Sequence, residues 1–101
     1  MLPGMTTPPT QLGRLIRKDR AARIDSITKA KPESRRNQAI RWSLHTEGGL
    51  RLIENGKRPV RVSRAAVWAR KLKTTKAKAA ALIDGHNEYV AAQRLPLSAS
   101  L

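Results

Sequence analysis

The feature that most constrains this chain is its charge. Across 101 residues it carries 21 Lys and Arg against seven Asp and Glu, a formal net charge of +14. Residues 1–13 hold no charged side chain, residues 14–78 hold twenty of the basic residues and five of the acids, and residues 79–101 hold only Arg94, Asp84 and Glu88. A compact chain with such a surplus repels itself, and its means of resisting that are modest. Hydrophobic residues make up 40% of the chain, but fourteen of them are Ala; the large aliphatics are eleven Leu, six Ile and four Val, with two Trp, one Tyr and no Phe. A domain of this length buries only about two-thirds of its chain surface. The sequence therefore predicts a thin core in one small domain with tails, and an oligomer, a partner-stabilised fold or floppy ends.

Several classes of function are disfavoured at once. With no Cys, disulfides, thiol chemistry and Cys-containing zinc sites are excluded. His45 and His86 lack any metal-binding spacing, so no metal and no cofactor is expected. There is no GxxxxGK[ST] and no GxGxxG. Asp84 and Glu88 share a helix face with His86 pointing elsewhere, which reads as solvated polarity, and no enzyme is expected. No apolar run approaches the roughly 20 residues a membrane helix requires, and Met1-Leu-Pro-Gly-Met5 lacks the features of a secretory leader. A mitochondrial transit segment fits poorly with Pro8-Pro9, Asp19 and Asp25. The expected location is the cytoplasm, in association with the nucleoid, with no membrane partner.

Most of the chain reads as helix. Residues 1–9 form an expected disordered lead, and Thr10 can cap a first helix along which Leu12, Leu15, Ile16, Ile24 and Ile27 recur. Ser34 can cap a second, from Arg35 to about His45, stopped by Gly48-Gly49. Leu50–Glu54, Asn55-Gly56 and Lys57–Val62 read as a β-hairpin: Asn-Gly suits a type I′ turn, and Leu50/Leu52 and Val60/Val62 alternate with Arg51 and Arg61. Ser63 would cap a third helix, to about Lys73, and Thr75 a fourth, to about Arg94. The fourth carries Ala79, Leu82, Ile83, Tyr89 and Val90 as an apolar stripe. That stripe suits either a homodimer contact through residues 76–94 or packing on the chain's own helices. Gly85 weakens this helix by roughly 1 kcal/mol relative to Ala.

Taken together, Ser34–Trp42, Gly48-Gly49-Leu50 and Pro59-Val-Arg-Val-Ser-Arg-Ala-Ala-Val-Trp68 resemble the winged-helix DNA-binding modules of excisionases, MerR-like regulators and phage terminase small subunits. The resemblance spans residues 34–72. It departs from the family where Lys29–Glu33 intervenes before the second helix and the first helix is loaded with Arg. It implies a mainly α fold: a small winged helix-turn-helix-like domain with one β-hairpin wing and an additional C-terminal helix. The implied organisation is a disordered lead (1–9), a basic winged-helix-like nucleic-acid-binding domain (10–73), an Ala-rich helix for packing or dimerisation (74–95) and a disordered tail (96–101).

The resemblance also implies a function, duplex DNA binding in transcription regulation or in a phage or plasmid DNA transaction. Arg35, Arg36, Asn37, Gln38 and Arg41 would enter the major groove, where Arg suits guanine and Asn or Gln suits adenine. Lys57, Arg58 and Arg61 would follow phosphates, which position a protein without reading sequence. One alternative is RNA binding by the Arg-rich stretch Arg35–Trp42, with Trp42 stacking on an exposed base. Another is a nucleoid-type structural protein that grips the backbone alone.

Overall fold

The computed structural model describes residues 7–99, with the backbone alone considered for 94–99. Residues 1–6, 100 and 101, and with them part of the expected lead and tail, lie outside the described residues. Among the described residues five α-helices follow one another: α1 (Gln11–Ala21), α2 (Arg35–Trp42), α3 (Glu47–Glu54), α4 (Ala65–Leu72) and α5 (Lys76–Ala99). A single 3-10 turn, Val62–Arg64, leads into α4.

Local chemistry explains most of the helix starts. The hydroxyls of Thr10, Ser34, Thr46 and Thr75 accept from the backbone N–H three residues ahead, at 3.1, 3.1, 3.1 and 3.2 Å. Each satisfies a donor that has no partner inside its helix. Ser63 does not act this way, and α4 begins from the 3-10 turn without a side-chain cap.

The expected β-hairpin is absent: no strand exists among the described residues, and its first arm lies in α3. The Asn-Gly pair is the C-terminal stop of that helix. Gly56 takes a φ of +72°, its N–H donates to the Ile53 carbonyl at 3.1 Å, and the Lys57 N–H reaches back to the Leu52 carbonyl at 2.8 Å. These are the paired bonds of a Schellman ending. The positive φ that suggested a hairpin turn serves a helix end equally well. The helical spacing of Leu50, Ile53 and Glu54, all buried on one face, decides between the two. Gly48-Gly49 lies within the first turn of α3 and ends nothing; α2 stops instead at Ser43, with a φ of 52°. The winged part of the expected fold class is therefore replaced by an all-helical arrangement, and Val62, expected on the dry face of the wing, is 52% exposed.

The first helix is also shorter than its pattern suggests. It ends at Ala21, and Ile24 and Ile27 are exposed. The buried Asp25 carboxylate organises the connection to α2. It accepts from the backbone N–H groups of Ile27, Thr28 and Ser34 and from the Ser34 hydroxyl, the last at 2.6 Å. Led by the Ser34 hydroxyl, these donors hold its pKa well below the usual carboxylate range.

The core is small but continuous. Leu12 and Ile16 of α1, Trp42 of α2, Leu50 and Ile53 of α3, Trp68 of α4 and Ile83 of α5 form it, with Val60 from the connecting segment. The two Trp rings meet edge-on at 5.7 Å and 87°, the orientation their quadrupoles prefer, which contributes about 0.5–1.5 kcal/mol beyond burial. α1 and α3 approach so closely at Gly13 that a Cβ there would sit 2.3 Å from the Glu54 carbonyl oxygen.

Candidate nucleic-acid interface

Four acids are engaged inside the structure. The Glu54 carboxylate, 2% exposed, takes both ends of the Arg20 guanidinium at 2.6 and 3.0 Å and Arg35 at 3.3 Å. Burial alone would raise its pKa, but Arg20 and Arg35 outweigh burial and lower it. Glu33 holds Arg41 at 2.7 and 3.0 Å, and Arg41 reaches on to Asp19 at 2.5 Å. Those bonds, Glu33 first, raise the Arg41 pKa; Asp19 is lowered despite its partial burial, by Arg41 and Gln38. With Asp25 in its loop, these carboxylates join α1, α2 and α3.

This network occupies most of the residues expected to read bases. Gln38 is fully buried; its amide donates to the Ile16 carbonyl and to Asp19 and accepts from Arg20 at 3.0 Å. Asn37 donates to Glu33 at 2.6 Å and accepts from the Ser26 hydroxyl. Arg35 and Arg41 are half-buried on their carboxylates. Of the α2 set only Arg36 stands exposed. Trp42 is 2% exposed beneath α2, so it is not available for stacking on a base.

The other expected contacts come together differently. Lys57, Arg58 and Arg61 are all exposed, and they lie on one segment with Arg64, also exposed. None of the four has an acidic partner among the described residues. The segment from Lys57 to Arg64 is a strap running from α3 to α4, and α5 fastens it. Asn87 accepts from the Val60 N–H at 2.8 Å and donates to the Val60 carbonyl at 2.7 Å. One amide thereby makes the pair of bonds a neighbouring strand would make, and Val60 is buried beneath the strap.

One residue earlier on α5, His86 bonds the Arg58 carbonyl through Nε2 at 2.8 Å, and its Nδ1 lies 2.7 Å from the Thr10 hydroxyl. A carbonyl can only accept, so Nε2 carries the proton and Nδ1 accepts from Thr10. Burial lowers the His86 pKa, partly offset by the bond to the Arg58 carbonyl. His86 thus ties the strap to the first turn of α1.

The Arg58 side chain reaches back to the start of α3. The Arg58 guanidinium lies over Gly49, 3.0 Å from where a Cβ would sit. Burial, then the charges of Arg64 and Arg58, push the His45 pKa down. Three arginines and a lysine on an anchored backbone offer phosphate-binding donors at little ordering cost, and arginine can meet a phosphate with two parallel bonds.

A second acid-free cationic run, Arg70, Lys71, Lys73, Lys76 and Lys78, crosses the turn between α4 and α5. It is mostly lysine, whose ammonium acts as a point charge. The winged-helix resemblance pointed to Lys57, Arg58 and Arg61 as contacts of a wing that is absent, and did not point to Arg64, Asn87 or His86. Arg64 was legible as a fourth cation in the same run; the two anchors had no local signal. No family model, curated protein or solved structure matches this chain. No helix among the described residues is long and apolar enough to cross a membrane.

Proposed function

We propose that this protein binds duplex DNA through its phosphate backbone, with the 57–64 strap as the principal contact. The observation that carries the reading is the strap itself: Lys57, Arg58, Arg61 and Arg64 are exposed and, among the described residues, free of acidic partners on a backbone fixed by Asn87 and His86. Neutralising phosphates with such a surface releases condensed counterions, which drives sequence-independent affinity. Engagement of Asn37, Gln38, Arg35 and Arg41 in internal bonds favours backbone binding over base reading, and so a nucleoid-associated, structural role over a sequence-specific regulator. Arg36 is the α2 residue free to add a base or phosphate contact. Burial of Trp42 favours duplex over the RNA alternative, which needs an exposed ring.

The test is a panel of duplex DNA, single-stranded DNA and hairpin RNA under excess competitor. The expected result is binding to duplexes of unrelated sequence with similar affinity. Preference for hairpin RNA would replace this reading with the RNA one, and a preferred duplex sequence would restore a specific regulator. No binding to any of the three at low salt would remove nucleic acid altogether.

A further inference from the structure

The outer side of α5 differs from the rest of the surface. Ala79, Ile83, His86 and Val90 face the core, so the expected apolar stripe is largely covered by the chain's own helices. Ala77, Ala81 and Gly85, four residues apart, face outward with nothing bulky over them. Beside them runs an open groove of about 780 Å³, walled by the half-buried Leu15, Leu72, Leu82 and Tyr89. The charges here are mixed: Lys73, Lys76 and Lys78 with Asp84 and Glu88, all exposed, none in an ion pair among the described residues. The two acids lie one turn apart, a like-charge spacing that does not help an isolated helix.

We propose that this face is where a second copy of the chain docks, α5 against α5, antiparallel about a two-fold axis level with Ile83. Three observations select that occupant and that register. Most of the chain's surplus of cations lies before α5, so two copies meeting through those cationic surfaces bring like charges together. Small residues let two helix backbones approach, and antiparallel crossing at this level sets Ala81 of one copy opposite Gly85 of the other. The same crossing sets Lys78 opposite Glu88, twice by symmetry, as an isologous contact requires; a parallel crossing would oppose Glu88 to Glu88 and Lys78 to Lys78. Leu82 and Tyr89 would then be covered from both sides. The dimer does not depend on DNA binding.

The test is sedimentation of the full chain without nucleic acid at physiological salt, with circular dichroism to confirm folding. The wild type is expected to dimerise. Lys78→Glu and Glu88→Lys alone should each weaken association by about tenfold or more, because each opposes like charges at both ends of the contact. Lys78→Glu does so while lowering the net charge, so general repulsion cannot explain its loss. Mixing the two variants should restore a dimer, since every opposed pair is then complementary. A wild type that stays monomeric, or that binds an acidic helical peptide in the groove in place of itself, overturns the proposal. A dimer indifferent to both substitutions, or one that mixing fails to restore, overturns it equally.

Discussion

Replacing Glu54 with Gln should cost this protein a large part of its stability. Glu54 is 2% and Arg20 8% exposed, and their guanidinium and carboxylate meet through two bonds at 2.6 and 3.0 Å. Gln is nearly isosteric but neutral, and its amide N–H groups would confront the guanidinium donors. Arg20 would keep the neutral Gln38 oxygen and lose its counter-charge. Breaking one partner out of a buried pair typically costs about 3–5 kcal/mol, against a total stability of about 5–15 kcal/mol for a small domain. At roughly 4 °C or more per kcal/mol for a chain of this size, the melting temperature should fall by about 12 °C or more. Urea denaturation of wild type and Glu54→Gln measures the loss directly. Replacing both partners with apolar residues, Arg20→Met with Glu54→Leu, should regain part of it, because the buried Arg20 charge goes with its partner while Arg35 loses its carboxylate and the Gln38 oxygen its donor. A loss below about 1 kcal/mol for Glu54→Gln would place the pair among solvent-screened surface bridges and refute its role in joining α1 to α3.

Other expectations follow from the same contacts. His86 and His45 titrate below their ordinary value in the fold, so the unfolded chain takes up protons first. Stability is fully present above about pH 6.5 and declines as pH falls through the folded pKa values; Asp19, Asp25 and Glu54, lowered in the fold, add a second loss in the carboxylate range. A urea midpoint that stays constant from pH 7 to 5 would contradict the histidine part. Asn87→Ala should cost about 1–3 kcal/mol through two unmet backbone groups at Val60 and speed amide exchange at Val60 more than in α2, and uniform exchange would argue against a distinct strap anchor. Gly13→Ala should destabilise by about 1–3 kcal/mol or more, since its Cβ would strike backbone. Gly48→Ala, in open space within α3, should stabilise by about 0.5–1 kcal/mol, and equal effects at the two sites would refute the close approach of α1 and α3.

What the sequence made legible was local. Thr10, Ser34 and Thr75 start helices because a hydroxyl three residues before a free N–H acts within one turn, and the break at Thr74-Thr75 falls where expected. Asn55-Gly56 misled because a positive φ serves a hairpin turn and a helix end alike. The choice between them rests on burying Leu50, Ile53 and Glu54 together, and Glu54 can be buried only because Arg20 arrives from 34 residues away. The same long-range pairing drew Arg35 and Arg41 partly out of solvent: their partners Asp19, Glu33 and Glu54 are scattered along the chain. Nothing local marks Asn87 or His86 as anchors, since their partners lie 27 and 28 residues earlier on an irregular backbone.

The most direct test of the central claim is the salt dependence of duplex binding for wild type and for a variant with Lys57, Arg58, Arg61 and Arg64 all changed to Ala. If each strap cation neutralises one phosphate, the logarithmic slope should flatten by about 3–4 units, roughly 0.9 per contact, and affinity should fall on every duplex alike. An unchanged slope in the strap variant, with the flattening appearing instead when Arg70, Lys71, Lys73 and Lys76 are neutralised, would show that DNA is held at the turn between α4 and α5 and that the strap is only a solvated surface.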